Sequence, residues 1–421
     1  MHLYELPLIF ALIGLALYTV LAGADFGAGA WQLTAGRGRD AARIREHAHN
    51  SMAPVWEANH VWLIFVLTVV WTAYPAAFGS IASTLSVPLF IAAIGIIFRG
   101  AAYALRSGSA TRTELRAIDA VFSLSSILTP FALGAAVGGI ASRRVPVGNA
   151  AGHLFSSWLN PTSALVGVLA VVTAAYLAAV YLSADAVRVN EPQLARQFQI
   201  RALSAGLLAG AIALGGLAVL HSDAPALYRG LVQGDGQAAL IVSSLAGVCA
   251  LALVWRGRFE LARYTAALAV AATIAGWALA QRPTFLPGLT IAQAAAPHDT
   301  LVLVVVVVIA GAAILLPSLA VLFRLFLHGA LDHAEVPARP GGTGRAVLSA
   351  SAPGLLARAA GGCLLAGVGL LTVAEAGWAH AAGVACLFGF IVAGFMAVAP
   401  AELAAVDAEP QRGSAPGHDP A

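Results

Sequence analysis

Two apolar segments near the start of the chain each carry a carboxylate at a depth where charges are rare. Asp25 lies within the apolar run 6–33, and Glu57 lies in the first turns of a second run that continues to Phe78. A charged side chain inside the hydrocarbon is costly and normally has a partner and a function. A bare carboxylic acid in apolar surroundings can also exchange its proton near neutral pH. The two positions therefore predict that Asp25 and Glu57 handle protons.

Further polar and aromatic residues accompany Glu57 at the start of the second apolar run. His60 follows Glu57 by three residues, so both lie on nearly the same helix face. His60 would extend a proton path or, alternatively, bind a haem iron. Asn59 is expected to bond to a neighbouring backbone or helix. Trp56 and Trp62 are interpreted as packing or interface anchors.

Arg99, late in the third apolar run, adds a positive charge at the same level. At about 1.5 Å of rise per residue, Asp25, Glu57 and Arg99 all fall within one slab near the same membrane boundary. We predict a shared polar cluster in which Arg99 and Asn59 give structural support. The alternative is that Arg99 extends to the lipid headgroups and that the two acids only hold three helices together.

The composition indicates the class of protein that positions these residues. The chain has 421 residues, of which 60% are hydrophobic and 10% charged, whereas a soluble domain has about 25% charged residues. A polytopic, all-α transmembrane protein fits these values, and no cleavable signal peptide is expected. The net charge of +3 comes from arginines spread over short connections, which indicates no nucleic-acid partner. Cys249, Cys363 and Cys386 lack metal-ligand spacing and are predicted to be buried thiols, so no metal site is expected.

A spanning helix needs about 20 mostly apolar residues. That length predicts eleven helices, near 6–34, 55–78, 80–104, 117–141, 162–183, 202–220, 238–255, 264–281, 300–327, 354–374 and 379–400. Seventeen arginines lie in the odd-numbered connections and four in the even-numbered ones. Because arginine-rich connections stay in the cytoplasm, the N-terminus is predicted outside and the C-terminus in the cytoplasm.

The polar residues of the first three helices also form longer patterns. Helix one contains a G-x-D-x-G-x-G-like element made by Gly23, Asp25, Gly27 and Gly29. Helix two contains P-x-W-[DE]-x-N-x-V-W-L, made by Pro54, Trp56, Glu57, Asn59, Val61, Trp62 and Leu63. Phe98-Arg99 and Leu159-Asn160-Pro161 follow. Over roughly residues 1–330, the chain resembles subunit II of cytochrome bd quinol oxidase.

That resemblance implies a fold, a complex and residue roles. The family's complex lies in the bacterial plasma membrane, oxidises quinol and reduces dioxygen to water. Its larger subunit I carries haem b, haem d and the quinol site, and small single-helix subunits can join it. Subunit II has two four-helix bundles plus a peripheral helix and can hold a structural quinone. The matching positions imply a proton path at Glu57, a functional carboxylate at Asp25 and a nearby oxygen entry at Trp62.

The chain departs from the family pattern in two places. Glu57 stands where aspartate is frequent, and an extra helical hairpin follows the ninth helix. The predicted organisation is a nine-helix membrane domain, a cytoplasmic linker, a transmembrane hairpin and a disordered cytoplasmic tail, over 1–330, 331–353, 354–400 and 401–421. The hairpin is interpreted as covering lipid-facing surface or replacing a small subunit.

Three functions are compatible with these residues. The first is the non-haem subunit of a bd-type oxidase, inactive when alone, with Asp25, Glu57 and His60 on a proton path. The second is a proton-coupled secondary transporter, which would favour broken helices near the bilayer midplane, and none is obvious in the sequence. The third is a purely structural scaffold for the haem subunit.

Overall fold

The computed structural model of the protein describes residues 2–36, 38–106, 112–327, 355–373 and 377–398. These residues are mostly helical, which confirms the all-α class. The chain divides into two compact units, Met1–Ala330 and Leu331–Ala421. The predicted linker and tail lie outside the described residues.

The first unit opens with a 3₁₀ turn, Leu3–Glu5, and continues almost entirely as α-helices. Its helices are α1 Leu6–Thr34, α2 Arg39–Ala73, α3 Pro75–Thr84, α4 Ser86–Arg106, α5 Arg112–Ala141, α6 Pro161–Arg188, α7 Pro192–Asp223, α8 Pro225–Val232, α9 Gln237–Trp255, α10 Phe259–Gln281, α11 Ile291–Ala294 and α12 His298–Leu327. A short antiparallel hairpin of β1 Thr284–Leu286 and β2 Leu289–Thr290 precedes α11.

The second unit contains α13 Leu355–Val373 and α14 Gly377–Val398. The two helices pack against each other through small residues. A Cβ placed on Gly367 would lie 2.8 Å from the Leu387 side chain, and one on Gly389 would lie 3.2 Å from the Cys363 sulfur. Both helices fall within the predicted hairpin.

The apolar helices agree with a polytopic membrane protein. Among the described residues, seven helices are long and apolar enough to cross a membrane, and α3 with α4 forms an eighth candidate that is bent by 81°. Three shorter apolar helices, Asn59–Ala73, Arg358–Leu370 and Ala381–Ala393, lie in the remaining predicted segments. Each of the eleven predicted segments therefore contains an apolar helix.

The helices of the first unit form two groups. In one, α1 packs against α2 and α5, and α5 packs against α4. In the other, α6 packs against α7 and α10, and α9 packs against the same two helices. Contacts of α1 and α5 with α6 join the groups, while the described residues of α12 make few contacts with either. This arrangement fits the expected pair of four-helix bundles with a peripheral helix.

Helix α2 begins much earlier than its hydrophobicity predicts. The expected start was residue 55, but the helix starts at Arg39, so most of the arginine-rich connection is helical. Arginine, alanine and glutamate are good helix formers, whereas the hydropathy pattern detects only the apolar part of a helix. The predicted helix start at residue 55 was therefore wrong.

The second and third predicted segments are also divided differently. Helix α2 ends at Ala73, because Tyr74 leaves the helical conformation and Pro75 starts α3. A second break at Leu85 separates α3 from α4. No broken helix was obvious in the sequence, whereas the structure has these two breaks, and α3 and α4 meet at 81°.

Side chains and backbone from distant segments satisfy the polar groups at the first break. The Tyr74 hydroxyl donates to the Tyr4 carbonyl at 2.5 Å and accepts from the Leu8 amide at 3.0 Å. The Ala296 amide donates to the Ala73 carbonyl at 2.8 Å. Irregular backbone at membrane depth is tolerated where protein groups bond to it in this way.

An ion pair outside the apolar segments fastens the start of α6. Asp223, the last residue of α7, accepts two hydrogen bonds from Arg144 at 2.6 and 2.9 Å and a third from the Thr162 hydroxyl at 2.6 Å. The Asp223 carboxylate raises the pKa of the Arg144 guanidinium. Asn160 caps the same helix by accepting from the Ser163 amide at 2.9 Å.

Candidate functional site

A buried ion pair between α1 and α4 is the centre of the candidate site. Asp25 and Arg99 are both 0% exposed. The Arg99 Nε donates to Asp25 Oδ2 at 3.1 Å, while Nη2 donates to Oδ1 and, at 2.7 Å, to the Asp25 backbone carbonyl. This two-pronged contact is the geometry that a planar guanidinium makes with a carboxylate. Asp25 is therefore not the bare acid that the sequence suggested.

Two further helices contribute polar groups to the pair. Asn59 of α2 is 0% exposed, and its Nδ2 donates to Asp25 Oδ2 at 3.3 Å. Ser126 of α5 accepts from Arg99 Nη1 and donates to the Phe122 carbonyl. We name Asp25, Asn59, Arg99 and Ser126 the ion-pair cluster. It brings together four helices of one bundle.

Aromatic rings cover the guanidinium. The Arg99 Cζ lies 4.0 Å from the centre of the Phe122 ring and 5.1 Å from that of Phe26. Such cation–π contacts each contribute roughly 0.5–2 kcal/mol and keep water away from the charge. Arg99 is thus enclosed within the bundle, and the alternative in which it extends to the lipid headgroups was wrong.

Glycines on α1 and α4 allow α5 to pack closely against both helices. A Cβ on Gly29 would lie 2.1 Å from Ser126 Oγ and 3.1 Å from Arg99 Nη1. A Cβ on Gly95, one turn before Arg99 on α4, would lie 2.2 Å from Thr129 Oγ1. Both positions must lack a side chain for α5 to reach the ion-pair cluster.

Three buried polar atoms near the ion-pair cluster lack a hydrogen-bond partner among the described residues. They are Asn59 Oδ1, the Tyr18 hydroxyl and Thr129 Oγ1. Asn59 touches Asp25 directly, and Thr129 lies one turn from Ser126 on α5. Buried polar groups of this kind are the usual binding positions of internal water.

The other predicted site residues lie on α2. The helix passes through positions 56 and 57, but the side chains of Trp56 and Glu57 are outside the described part of the molecule. His60 is half-buried. Trp62 contacts Phe65 edge-on, with ring centres 6.2 Å apart, and packs against the buried cluster around Tyr18. Of the predicted cluster, Asp25 contacts Asn59 and Arg99, while the place of Glu57 in it stays a prediction.

Sequence reasoning missed the contributions of α5. Ser123, Ser125 and Ser126 are all buried, at 3%, 4% and 1% exposure. Three serines within four residues of an apolar helix are a detectable signal, because hydroxyl groups in such a helix commonly bond to a neighbouring helix.

The metal-binding residue types and the three cysteines are considered next. Within the described residues, no group of three His, Cys, Asp or Glu side chains is placed to hold a metal ion. Cys249 is exposed on α9, and Cys363 and Cys386 are half-buried. The prediction of buried thiols was therefore wrong for Cys249, because an apolar sequence does not distinguish the lipid-facing side of a helix from its packed side.

The chain is similar to proteins of one family. A family model for "Cytochrome bd terminal oxidase subunit II" matches residues 3–326. Over 132 residues the chain is 27% identical to cytochrome bd ubiquinol oxidase subunit 2 of Bacillus subtilis (strain 168), an alignment covering 31% of this chain and 38% of that relative's length. It also resembles a chain of the bd oxidase from Geobacillus thermodenitrificans, with a TM-score of 0.60 and 25% identity, covering 78% of this chain and 99% of that one.

Proposed function

Because the chain belongs to the cytochrome bd terminal oxidase subunit II family, we propose that it is the non-haem subunit of a membrane quinol oxidase. Its partner would be a larger subunit I that binds haem b, haem d and quinol. Quinol oxidation and the reduction of dioxygen to water would take place in that partner. A quinone bound within this chain and additional single-helix subunits stay predictions.

The proposed contribution of this chain is part of a proton path. Glu57 and His60 would carry protons along α2 toward the ion-pair cluster. The observation that supports this role is the contact between Asn59 of α2 and Asp25, because it puts that stretch of α2 beside a buried charge pair. The unbonded polar atoms of Asn59, Tyr18 and Thr129 would hold water there.

The proposed direction of proton movement follows from the positions of the arginines. With the arginine-rich connections in the cytoplasm of a bacterium, Glu57 and Asp25 lie toward the cytoplasmic side of the plasma membrane. Protons from that side would meet Glu57 and His60 before the buried pair. Asp25, ion-paired with Arg99, would act as a fixed negative charge that stabilises a proton on its neighbours.

The variant Glu57→Gln tests the path. Glutamine keeps the size and hydrogen-bonding capacity of the side chain but cannot carry a proton. We expect the purified complex to assemble with its haem absorption intact and its quinol-driven oxygen consumption to fall at least about tenfold. Oxygen uptake with a short-chain quinol measures this directly.

The matched control is Glu260→Gln on α10. Glu260 is 62% exposed and, among the described residues, pairs with Arg188 and Arg263, so its loss should change turnover little. Normal oxygen consumption in the Glu57→Gln complex would exclude Glu57 from the path.

Trp62 is proposed to line the entry of oxygen. It is partly buried and lies beside Phe65 and the Tyr18 cluster, so it borders the apolar packing that a dioxygen molecule would cross. In a Trp62→Phe complex, we expect the apparent KM for oxygen to change several-fold while the maximal turnover is retained. Trp71→Phe, at a position 64% exposed on the same helix, is the control; equal KM values in both variants would contradict the role.

A scaffold is the second candidate function, and the ion pair itself favours it. Asp25 and Arg99 join α1 to α4 without any need for proton transfer. If turnover and its proton dependence survive in Asp25→Asn/Glu57→Gln, the chain is a scaffold only. The transporter hypothesis has less support. A transporter of this kind would use the ends of broken helices at its binding site, but the break at Leu85 lies 14 residues from Arg99 along α4, away from Asp25.

A further inference from the structure

Arg201 of α7 is a half-buried cation held against aromatic rings. Its Cζ lies 5.5 Å from the centre of the Phe198 ring and 5.8 Å from that of Trp31 on α1. One N–H group of Nη1 donates to the Gln197 carbonyl at 3.2 Å. The guanidinium has five N–H donors, so this bond leaves most of its donor capacity available.

Three other arginines at this end of the bundle have carboxylate partners. Arg43 pairs with Glu191 at 2.5 Å. Arg263 and Arg188 both reach Asp185, at 2.7 and 3.3 Å. Within the described part of the chain, no carboxylate lies within ion-pairing distance of Arg201. A partly buried charge without a counter-ion is unfavourable, so an anion from outside the chain would be stabilised here.

The surface around Arg201 changes from polar to apolar along the helix. Gln193, Gln197 and Arg201 follow one another at intervals of four residues and so share one face of α7. Gln193 and Gln197 also border a shallow recess with Arg43. Beyond Arg201 toward the apolar part of α7, Leu208 lies seven residues further on the same face and is 52% exposed. The ligand that fits this surface has a charged head and an apolar tail.

We propose that Arg201 binds the phosphodiester group of an anionic phospholipid at the arginine-rich end of the bundle. The guanidinium matches the oxygen geometry of a phosphate, and basic recesses between membrane helices bind such headgroups. Trp31 lies near the end of α1, where tryptophans mark the level of the headgroups. The acyl chains would follow the apolar surface of α7 beyond Leu208.

Titration of the purified, detergent-solubilised complex with dioleoyl-phosphatidylglycerol, followed by native mass spectrometry, tests the site. The wild-type complex should retain phosphatidylglycerol in preference to dioleoyl-phosphatidylcholine, and Arg201→Gln should weaken that retention about tenfold. Arg196→Gln, which removes an exposed charge from the same helix, should leave it unchanged. Arg201→Lys keeps the positive charge but lacks the planar guanidinium, so its affinity for the lipid should be intermediate. This variant keeps the test valid if the glutamine variant does not assemble.

Three results would overturn the proposal. One is equal retention of phosphatidylglycerol by the wild-type, Arg201→Lys and Arg201→Gln complexes. Another is displacement of the lipid by millimolar inorganic phosphate, which would identify a site for a free anion. The third is loss of the partner subunit from Arg201→Gln, but not from Arg201→Lys, with unchanged lipid retention, which would identify an ion pair between subunits.

Discussion

Arg99→Gln is expected to destabilise the complex by about 3–5 kcal/mol, because removing one member of a buried ion pair leaves the other charge uncompensated. Asp25 is 0% exposed and bonds to Arg99 through both carboxylate oxygens. Phe26 and Phe122 enclose the guanidinium, so bulk water and lipid do not reach the position that it would leave. Thermal unfolding of the purified complex, followed by loss of the assembled species, measures the effect.

The double variant Asp25→Asn/Arg99→Gln separates the ion pair from the packing. Two neutral amides of similar size leave no buried charge, so the double variant should be more stable than Arg99→Gln alone. Arg256→Gln, at an exposed position beyond α9, is the control and should change stability by less than about 0.5 kcal/mol. The single variant Asp25→Asn completes the comparison. If the stability lost in the double variant equals the sum of the losses in Asp25→Asn and Arg99→Gln, then Asp25 and Arg99 do not depend on each other.

The contrast between Arg99 and Ser126 shows how far sequence determines the site. The rise of a helix is constant, so the level of a charge follows from its distance to the helix end, and Asp25 and Arg99 were rightly expected at one level. Which side of each helix faces its neighbour is a tertiary property. Ser126 carries no charge and lies in an apolar helix. It can be recognised as a hydrogen-bond acceptor of Arg99 only once the packing of α5 on α4 is known.

The predicted helix boundaries were wrong for a different physical reason. The spans were located by hydrophobicity, which reports transfer into lipid, whereas a helix is defined by its backbone hydrogen bonds. The start of α2 at Arg39 is polar and still helical. The break at Tyr74 has a local cause, because Pro75 disfavours a helical conformation at the residue before it. The bonds of Tyr74 to Tyr4 and of Ala296 to Ala73 join segments that are distant in sequence, so no local pattern reveals them.

Two glycines of the G-x-D-x-G-x-G-like element, Gly23 and Gly27, lie where α1 packs against α6. A Cβ on Gly27 would lie 1.9 Å from the Ala174 carbonyl oxygen and 2.7 Å from the Ala178 Cβ, both on α6. A Cβ on Gly23 would lie 3.0 Å from Leu177. Small residues of this kind allow two helix backbones to approach closely in a membrane.

Gly27→Ala is therefore expected to destabilise the complex by about 1–3 kcal/mol or more, because α1 must move away from the α6 backbone. Asp25 is two residues away, so the same displacement would lengthen its bonds to Arg99 and Asn59. The variant should unfold at a lower temperature than the wild-type complex and lose oxygen consumption with it.

Gly210→Ala on α7 is the matched control, because a Cβ there meets nothing within 4 Å. In that open position the methyl group lowers only the conformational freedom of the unfolded chain, and alanine should stabilise the helix by about 0.5–1 kcal/mol. A glycine-to-alanine substitution should thus lower the stability of the complex on α1 and raise it on α7. If both variants unfold at the wild-type temperature, the contact of α1 with α6 is looser than the distances at Gly27 require, and the ion-pair cluster would have to be positioned by Asn59 and Ser126 instead.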